Sequence, residues 1–421
     1  MHEHRPLSKG VWIGVPLAFV AGAALRLAWG ADIEFKYDEH WLFEHALVRG
    51  AGAFPGVGMR SSVGILNPGL GAWVFVVLAR LTEAATPVDL ARAVQILNLL
   101  ALAAVALFAM TAVEPREREA WMWGVALAAV NPMAVVLARK IWQQSVLPIF
   151  VAFVLAGWWN RGKRWGAVCW GVAGVCIGQV HAAGFFLTAG LVAWAFLFDR
   201  QRVRWRWWLL GAAAGLLPLV PWLFYVAGRT TARAPGAVAA LRLLEPRYWI
   251  FWILEPLGIG LWYSLGQHFT EFLAAGPWHA VGILHGAAVV LGVALYTVAI
   301  VRMRHERWSR FPIGVDRTAF TTNAALIGCG ALMTVSMIAI HPSYLNAAFP
   351  LQFVWLAYMA VGGVGRETLK RTARLALGAL CVVELLISAS FLAYIHAHGG
   401  APGADYGVAY SAQPLGQTFH P

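Results

Sequence analysis

Apolar residues gather along this chain in long runs, and short polar segments separate them. Eleven runs read as membrane-spanning helices, at 11–29, 88–113, 120–138, 145–160, 166–181, 184–198, 208–227, 279–301, 320–340, 345–363 and 373–394. A hydrocarbon core of about 30 Å takes about 20 apolar residues in an α-helix, so several runs are short for a full crossing. The pattern changes at 30–87 and 229–278, which are long for loops. Each holds one more apolar stretch, "NPGLGAWVFVVLARL" and "YWIFWILEPLGIGLWYSLG". The parity of crossings leaves no room for either as a single span. Both are expected to be membrane-surface or re-entrant helices, with their tryptophans at the interface. The expected fold is an all-α polytopic membrane protein of about 11 transmembrane helices, with surface helices in a long first outer loop. One membrane domain covers 1–394, and 395–421 forms a Gly-rich outer tail. That tail has no helical periodicity. It either stays disordered or folds its "DYGVAY" stretch back over the first outer loop.

Composition agrees with the pattern. Of 421 residues 60% are hydrophobic and 12% charged, about half the charged share of a soluble domain. With the N-terminus inside, 20 of the 32 Lys and Arg residues fall on inner segments. The positive-inside rule therefore fixes the orientation and puts the tail outside. The net charge of +12 reflects inner loops, and no nucleic-acid partner is expected. Cys169, Cys176, Cys329 and Cys381 all lie inside apolar runs without metal-ligand spacing, as small buried hydrophobes do. The run from Val11 lacks a cleavage site and reads as a retained first helix. An Ala/Gly/Arg-rich composition suggests a bacterial inner membrane.

Against this background the segment "FKYDEHWLFEHALVRG" at 35–50 stands apart. Seven of the 20 acidic residues, Asp38 and Glu39 among them, lie in or beside the first outer loop. Other polar residues recur at predicted outer helix ends. Arg139, Lys140, Gln143 and Gln144 form "ARKIWQQS"; His181 is in "GQVHAAG"; His341 and Tyr344 are in "HPSYLNAAFP". Arg60 lies in the first long outer region, and Arg229, Arg233, Arg242 and Arg247 in the second. Cations are disfavoured outside, so their concentration there needs a reason, and binding phosphate supplies one. Carboxylates, phosphate-binding cations and interface aromatics together suggest group transfer from a lipid phosphate. A carboxylate would deprotonate an acceptor hydroxyl, and the cations would take up the charge developing on the leaving phosphate. Glu44 and His45 read as a solvated face. Glu384 in "CVVELLIS" reads as an intramembrane acid packed against a polar neighbour.

The order of these pieces resembles the GT-C fold glycosyltransferases, in particular protein O-mannosyltransferases and lipid A aminoarabinose transferases. A first helix is followed by "YDE" and "HWLFEHALVRG", then by "NPGLGAWVFVVLARL", then by a helix opening near Arg92 in "DLARAVQILNLL". "NPMAVVLARKIWQQS" and "HPSYLNAAFPLQFVW" resemble two later turns of the family. The resemblance covers about residues 10–365. It implies an inverting glycosyltransferase that moves a sugar from a polyprenyl-phosphate donor to an acceptor at the outer face. Asp38 would be the general base, with Glu39 orienting the acceptor or assisting. Lys140, Arg139, Arg60 and Arg247 would hold the donor phosphate. His341, Tyr344, His181 and Gln143 would line the donor and acceptor pocket. The chain departs from the family at Gln143 and Gln144, where a second acid often stands, and this speaks against a two-acid mechanism. Without a D-x-D, and with Asp38 and Glu39 adjacent, no metal and no other cofactor is expected. Expected partners are the lipid-linked donor, membrane lipids, and an acceptor that is a glycolipid, a polysaccharide or a protein.

A lipid or sugar transporter or flippase is the competing class, and a non-catalytic scaffold a third. A transporter would carry its polar groups near the bilayer midplane, often in internally repeated halves. No repeat is visible, and the acids lie in a loop.

Overall fold

The computed structural model describes residues 9–60, 66–228, 245–305, 316–336, 338–362 and 367–414. Arg229, Arg233 and Arg242 lie outside them. The first part of the chain forms α1 (Lys9–Leu27), α2 (Tyr37–Leu47), the antiparallel pair β1 (Val57–Arg60) and β2 (Leu66–Pro68), α3 (Leu70–Thr82) and α4 (Pro87–Thr111). Next come α5 (Arg118–Val130), α6 (Pro132–Ala138), α7 (Leu147–Trp159), α8 (Arg164–Val180), α9 (Ala183–Phe198), α10 (Trp205–Gly215) and α11 (Val220–Ala227). Short helices α12 (Arg247–Leu254), α13 (Trp262–Leu265) and α14 (Phe269–Ala274) lead to α15 (Ala280–His305), α16 (Arg317–Val335), α17 (Leu351–Val361) and α18 (Glu367–His398). Two-residue strands β3 (Gly400–Ala401) and β4 (Gly407–Val408) close the described chain.

Helix forms at every predicted apolar run. Among the described residues six helices are long and apolar enough to cross a membrane, and eight if two bent pairs each count once. These are fewer than the eleven spans expected, because α7, α8 and α9 have only 13, 17 and 16 residues. Large apolar side chains such as Leu107, Phe153, Leu197, Phe224 and Val290 are more than half exposed, as lipid-facing residues of an integral membrane protein are. The two additional apolar stretches are not single spans. α3 has 13 residues, roughly 20 Å of helix, and buries Ala72, Phe75, Val76 and Ala79 against the bundle. The second stretch breaks into α12 and α13.

Helices with no aqueous driving force between them associate through close backbone approach and buried hydrogen bonds. At Gly22 of α1 a Cβ atom would stand 2.3 Å from the carbonyl oxygen of Ala129 in α5. Two buried arginines then tie α1 to the end of α5 and to the turn after α6. Arg26 donates to the carbonyls of Ala128 and Ala129. Arg139 donates to those of Leu25, Arg26, Ala28, Trp29 and Asp32 at 2.6–3.3 Å. The last carbonyls of a helix have no partner within it. Here a guanidinium from the neighbouring helix supplies one.

α5 and α6 meet at a 64° bend. Pro132 has no N–H to continue the helix, and Asn131 starts the next one by accepting from the Ala134 N–H at 3.1 Å. The carbonyl of Val130, left over by the break, accepts from Ser388 of α18 at 2.6 Å. Asn131 donates to Glu384 at 3.2 Å. The intramembrane acid thus packs against a polar neighbour, as expected from its isolation in sequence. After the bend, the turn that follows α6 brings Lys140 to Glu34 and Trp142 to Asp38, around the start of α2.

The tail differs from the disordered alternative. α18 continues to His398, past the expected boundary at 394, and the chain then folds back over the first loop. Glu34 and Ala409 form an antiparallel bridge, and the Tyr406 hydroxyl donates to the carbonyl of Asp32 at 2.7 Å.

Candidate active site

A cavity of about 280 Å³ opens at the end of the bundle where α1 leads into α2, α6 into α7 and α8 into α9. Asp38, Arg60, Lys140, Gln143, His181, His341 and Tyr344 all line it. These seven come from five separate parts of the chain, and only the tertiary fold brings them together. Asn67, Trp142, Gln144, Tyr263, Ser264, Ser343 and Asp405 complete the polar lining.

Asp38 stands on the first turn of α2. Its carboxylate accepts from the Trp142 indole N–H at 3.3 Å. Burial raises its pKa, opposed by the Trp142 hydrogen bond and by the positive charges of Lys36 and Lys140. The Lys140 ammonium lies 4.8 Å from the Trp142 ring centre, a cation–π distance. One indole therefore spaces the carboxylate from the cation.

Glu39 does not share this role. Consecutive helical residues point about 100° apart, so Asp38 and Glu39 cannot both face one cavity. Glu39 is buried and accepts from the Lys36 backbone N–H at 3.0 Å, which fixes the start of α2. Burial, with Glu34 nearby, raises its carboxyl to about 7. Arg139 is likewise not in the cavity; the donors expected to meet phosphate are spent on the carbonyls after α1. Arg247 is absent from the lining too, because its guanidinium is held by Glu245 two residues away, at 2.8 Å through Nε.

Lys140 belongs to a network that sequence spacing did not reveal. Its ammonium pairs with Glu34, which also pairs with Lys36. Asp405 faces both ammonium groups, 3.8 Å from Lys140 and 3.9 Å from Lys36. Burial lowers the pKa of Lys36, but Glu34, Asp405 and Glu39 outweigh it and leave the pKa raised. The signal for Asp405 was the Gly-punctuated "GAPGADYGV", which reads as a tight turn but carries no information about what it covers.

The opposite wall is uncharged. Burial, and then His341, lower the His181 pKa to about 4, so the ring is neutral near pH 7. His181 Nδ1 accepts from the Ala183 N–H at 3.2 Å, which leaves the proton on Nε2; the Gln144 side chain stands 2.9 Å from Nε2 and accepts that proton with its amide turned to present Oε1, an oxygen that is otherwise buried without a partner. Burial and Arg247 lower the His341 pKa, and its Nδ1 meets the Tyr263 hydroxyl. Burial and Asp405 push that hydroxyl up to about 12, so Tyr263 keeps its proton and donates. The Gln143 amide nitrogen and the Ser343 hydroxyl are buried without a protein partner. Buried polar groups normally find partners, and these two border the cavity. Among the described residues no three His, Cys, Asp or Glu side chains group to hold a metal ion.

A bundle of spanning helices with acid-bearing surface helices after the first span is the GT-C fold. The solved structure of ArnT from Cupriavidus metallidurans bound to undecaprenyl phosphate matches with a TM-score of 0.55, covering 93% of this chain and 78% of that one at 15% identity. The apo state of the same protein gives 0.41 at 18% identity, covering 97% and 86%. The oligosaccharyltransferase of Archaeoglobus fulgidus in its apo form gives 0.48 at 14%, covering 98% and 62%. The fold assignment rests on the first of these. No protein-family model matches the chain, and neither does any curated protein sequence.

Proposed function

We propose that the protein is an inverting glycosyltransferase. It would move a sugar from a polyprenyl-phosphate donor to an acceptor hydroxyl at the outer face of a bacterial inner membrane. One observation carries the reading: Asp38 and Lys140 face the same cavity on either side of Trp142, a base and a phosphate-binding cation at fixed spacing. The fold shared with ArnT, in a structure described as bound to undecaprenyl phosphate, supports the lipid-linked donor. The Lys/Arg asymmetry of the sequence supports the outer face and the cytoplasmic N-terminus.

In this scheme the acceptor oxygen attacks the anomeric carbon from the side opposite the phosphate. The carbon–oxygen bond to phosphate breaks, its electron pair leaves on the phosphate oxygen, and the hydroxyl proton passes to Asp38. A single displacement of this kind inverts the anomeric centre. Lys140 and Arg60 stabilise the charge gathering on phosphate. Gln143, Gln144, His181, Ser343 and Tyr344 offer neutral hydrogen bonds and an aromatic face, the chemistry that suits a sugar ring. The acceptor class stays open between a glycolipid, a polysaccharide and a protein.

The test is transfer from a radiolabelled polyprenyl-phosphate sugar pool in membranes, comparing the parent with Asp38→Asn. General-base loss typically costs about 10²–10⁴-fold in rate. The expected outcome is a loss of that size with undecaprenyl phosphate binding retained. Equal transfer by both proteins removes Asp38 from the mechanism. A transporter would instead move labelled lipid across the bilayer without changing it chemically. The cavity walls argue against that class, because they come from helix ends and loops rather than from mid-helix positions.

A further inference from the structure

The C-terminal turn brings a carboxylate to Lys140 at the cavity wall and to Lys36 just behind it, and its position is unlike that of Glu34. Glu34 is buried and touches both ammonium groups directly. The Asp405 side chain is 38% exposed, and its carboxylate stands 3.8 and 3.9 Å from them, at ion-pair range but beyond a hydrogen bond, while its backbone carbonyl accepts from the Lys36 ammonium. Glu34 holds the two ammonium groups from the protein side, and the Asp405 carboxylate meets them from the cavity side. A phosphodiester, as in a polyprenyl-phosphate sugar, carries one negative charge, as an ionised Asp405 does, and the monoester undecaprenyl phosphate carries between one and two, so either can replace the carboxylate opposite the lysines.

We propose that Lys36 and Lys140, held together by Glu34, form the seat for the donor phosphate, and that Asp405 occupies this seat as a displaceable internal anion until the lipid phosphate takes its place. The inference rests on the donor class proposed above and adds Lys36, Glu34 and Asp405 to the phosphate site. The turn is built for local movement about a fixed anchor. Tyr406 is buried, with its backbone N–H on the Ser264 carbonyl at 2.9 Å and its hydroxyl on Asp32. Gly403 and Gly407 flank Asp405 at φ +80° and +72°, a backbone region open to glycine at little cost. Against Lys36 the Asp405 carboxylate makes only a half-exposed ion pair, 40% and 38% exposed, so an incoming lipid phosphate can outcompete it there.

The experiment measures binding of undecaprenyl phosphate, and of undecaprenol as the phosphate-free control, to the full chain in detergent. Parent, Asp405→Asn and Lys36→Gln are compared. Removing the competing carboxylate should tighten undecaprenyl phosphate binding by about two- to fivefold, the range of exposed ion pairs. Undecaprenol binding should not change. Lys36→Gln should weaken phosphate binding roughly tenfold. A structural lesion cannot produce the tightening, so its sign separates competition from damage. Equal or weaker binding of undecaprenyl phosphate by Asp405→Asn overturns the inference, as does equal tightening for undecaprenol. A parent that fails to bind undecaprenyl phosphate overturns the donor class itself, and this inference with it.

Discussion

Arg139 offers the sharpest test of what the fold does with its cations. Replacing it with leucine removes donors to five carbonyls at the exit of α1. Trp29 is exposed and Ala28 half-buried, so water can serve those two. The carbonyls of Leu25 and Arg26 belong to buried residues and would lose their partner. A buried polar group left unpaired costs about 1–3 kcal/mol, so Arg139→Leu should destabilise by roughly 3–5 kcal/mol. At about 2 °C per kcal/mol for a chain of this size, the thermal midpoint in detergent should fall by roughly 5–10 °C. Arg139→Lys should recover less than half of the loss, since one ammonium cannot reach carbonyls spread around the helix end. The contrary reading makes Arg139 a phosphate ligand. On that reading Arg139→Leu melts with the parent and loses undecaprenyl phosphate affinity instead. That pair of results would refute the reasoning.

Other consequences follow from single residues. Burial raises the Glu39 carboxyl from 4.5 to about 7, so between those values the folded state holds a proton that the unfolded chain has released. Parent stability should therefore fall as pH rises from about 4.5 to 7. Glu39→Gln should match the parent near pH 4.5 and exceed it by up to about 3 kcal/mol at pH 8, read from denaturation midpoints; a difference that does not vary with pH counts against this. Gly22→Ala pushes a Cβ into the Ala129 carbonyl, and overpacking of that kind should cost about 1–3 kcal/mol in the same assay. An unchanged melt would mean α1 and α5 can separate freely.

The sequence by itself determined the membrane class, the helix positions and the polar clusters at helix ends. Long apolar runs and asymmetric charge are local properties, and the bilayer imposes them whatever the final packing. Asp38, Lys140, Gln143, His181, His341, Tyr344 and Arg60, singled out at predicted outer positions, all line one cavity, because in a polytopic chain polar residues at alternate helix ends reach the same surface. The tertiary structure alone decided which way each side chain faces. Glu39 follows Asp38 directly but turns inward, and Arg139 precedes Lys140 but points back to α1. A rotation of about 100° per residue separates Asp38 from Glu39 on α2, the turn after α6 separates Arg139 from Lys140, and only packing decides which of each pair meets the cavity. The same holds for Asp405, more than 360 residues from Asp38 in a Gly-rich stretch without periodicity. Its place beside Lys36 and Lys140 comes from Tyr406 and a short strand pairing, contacts that no local pattern encodes.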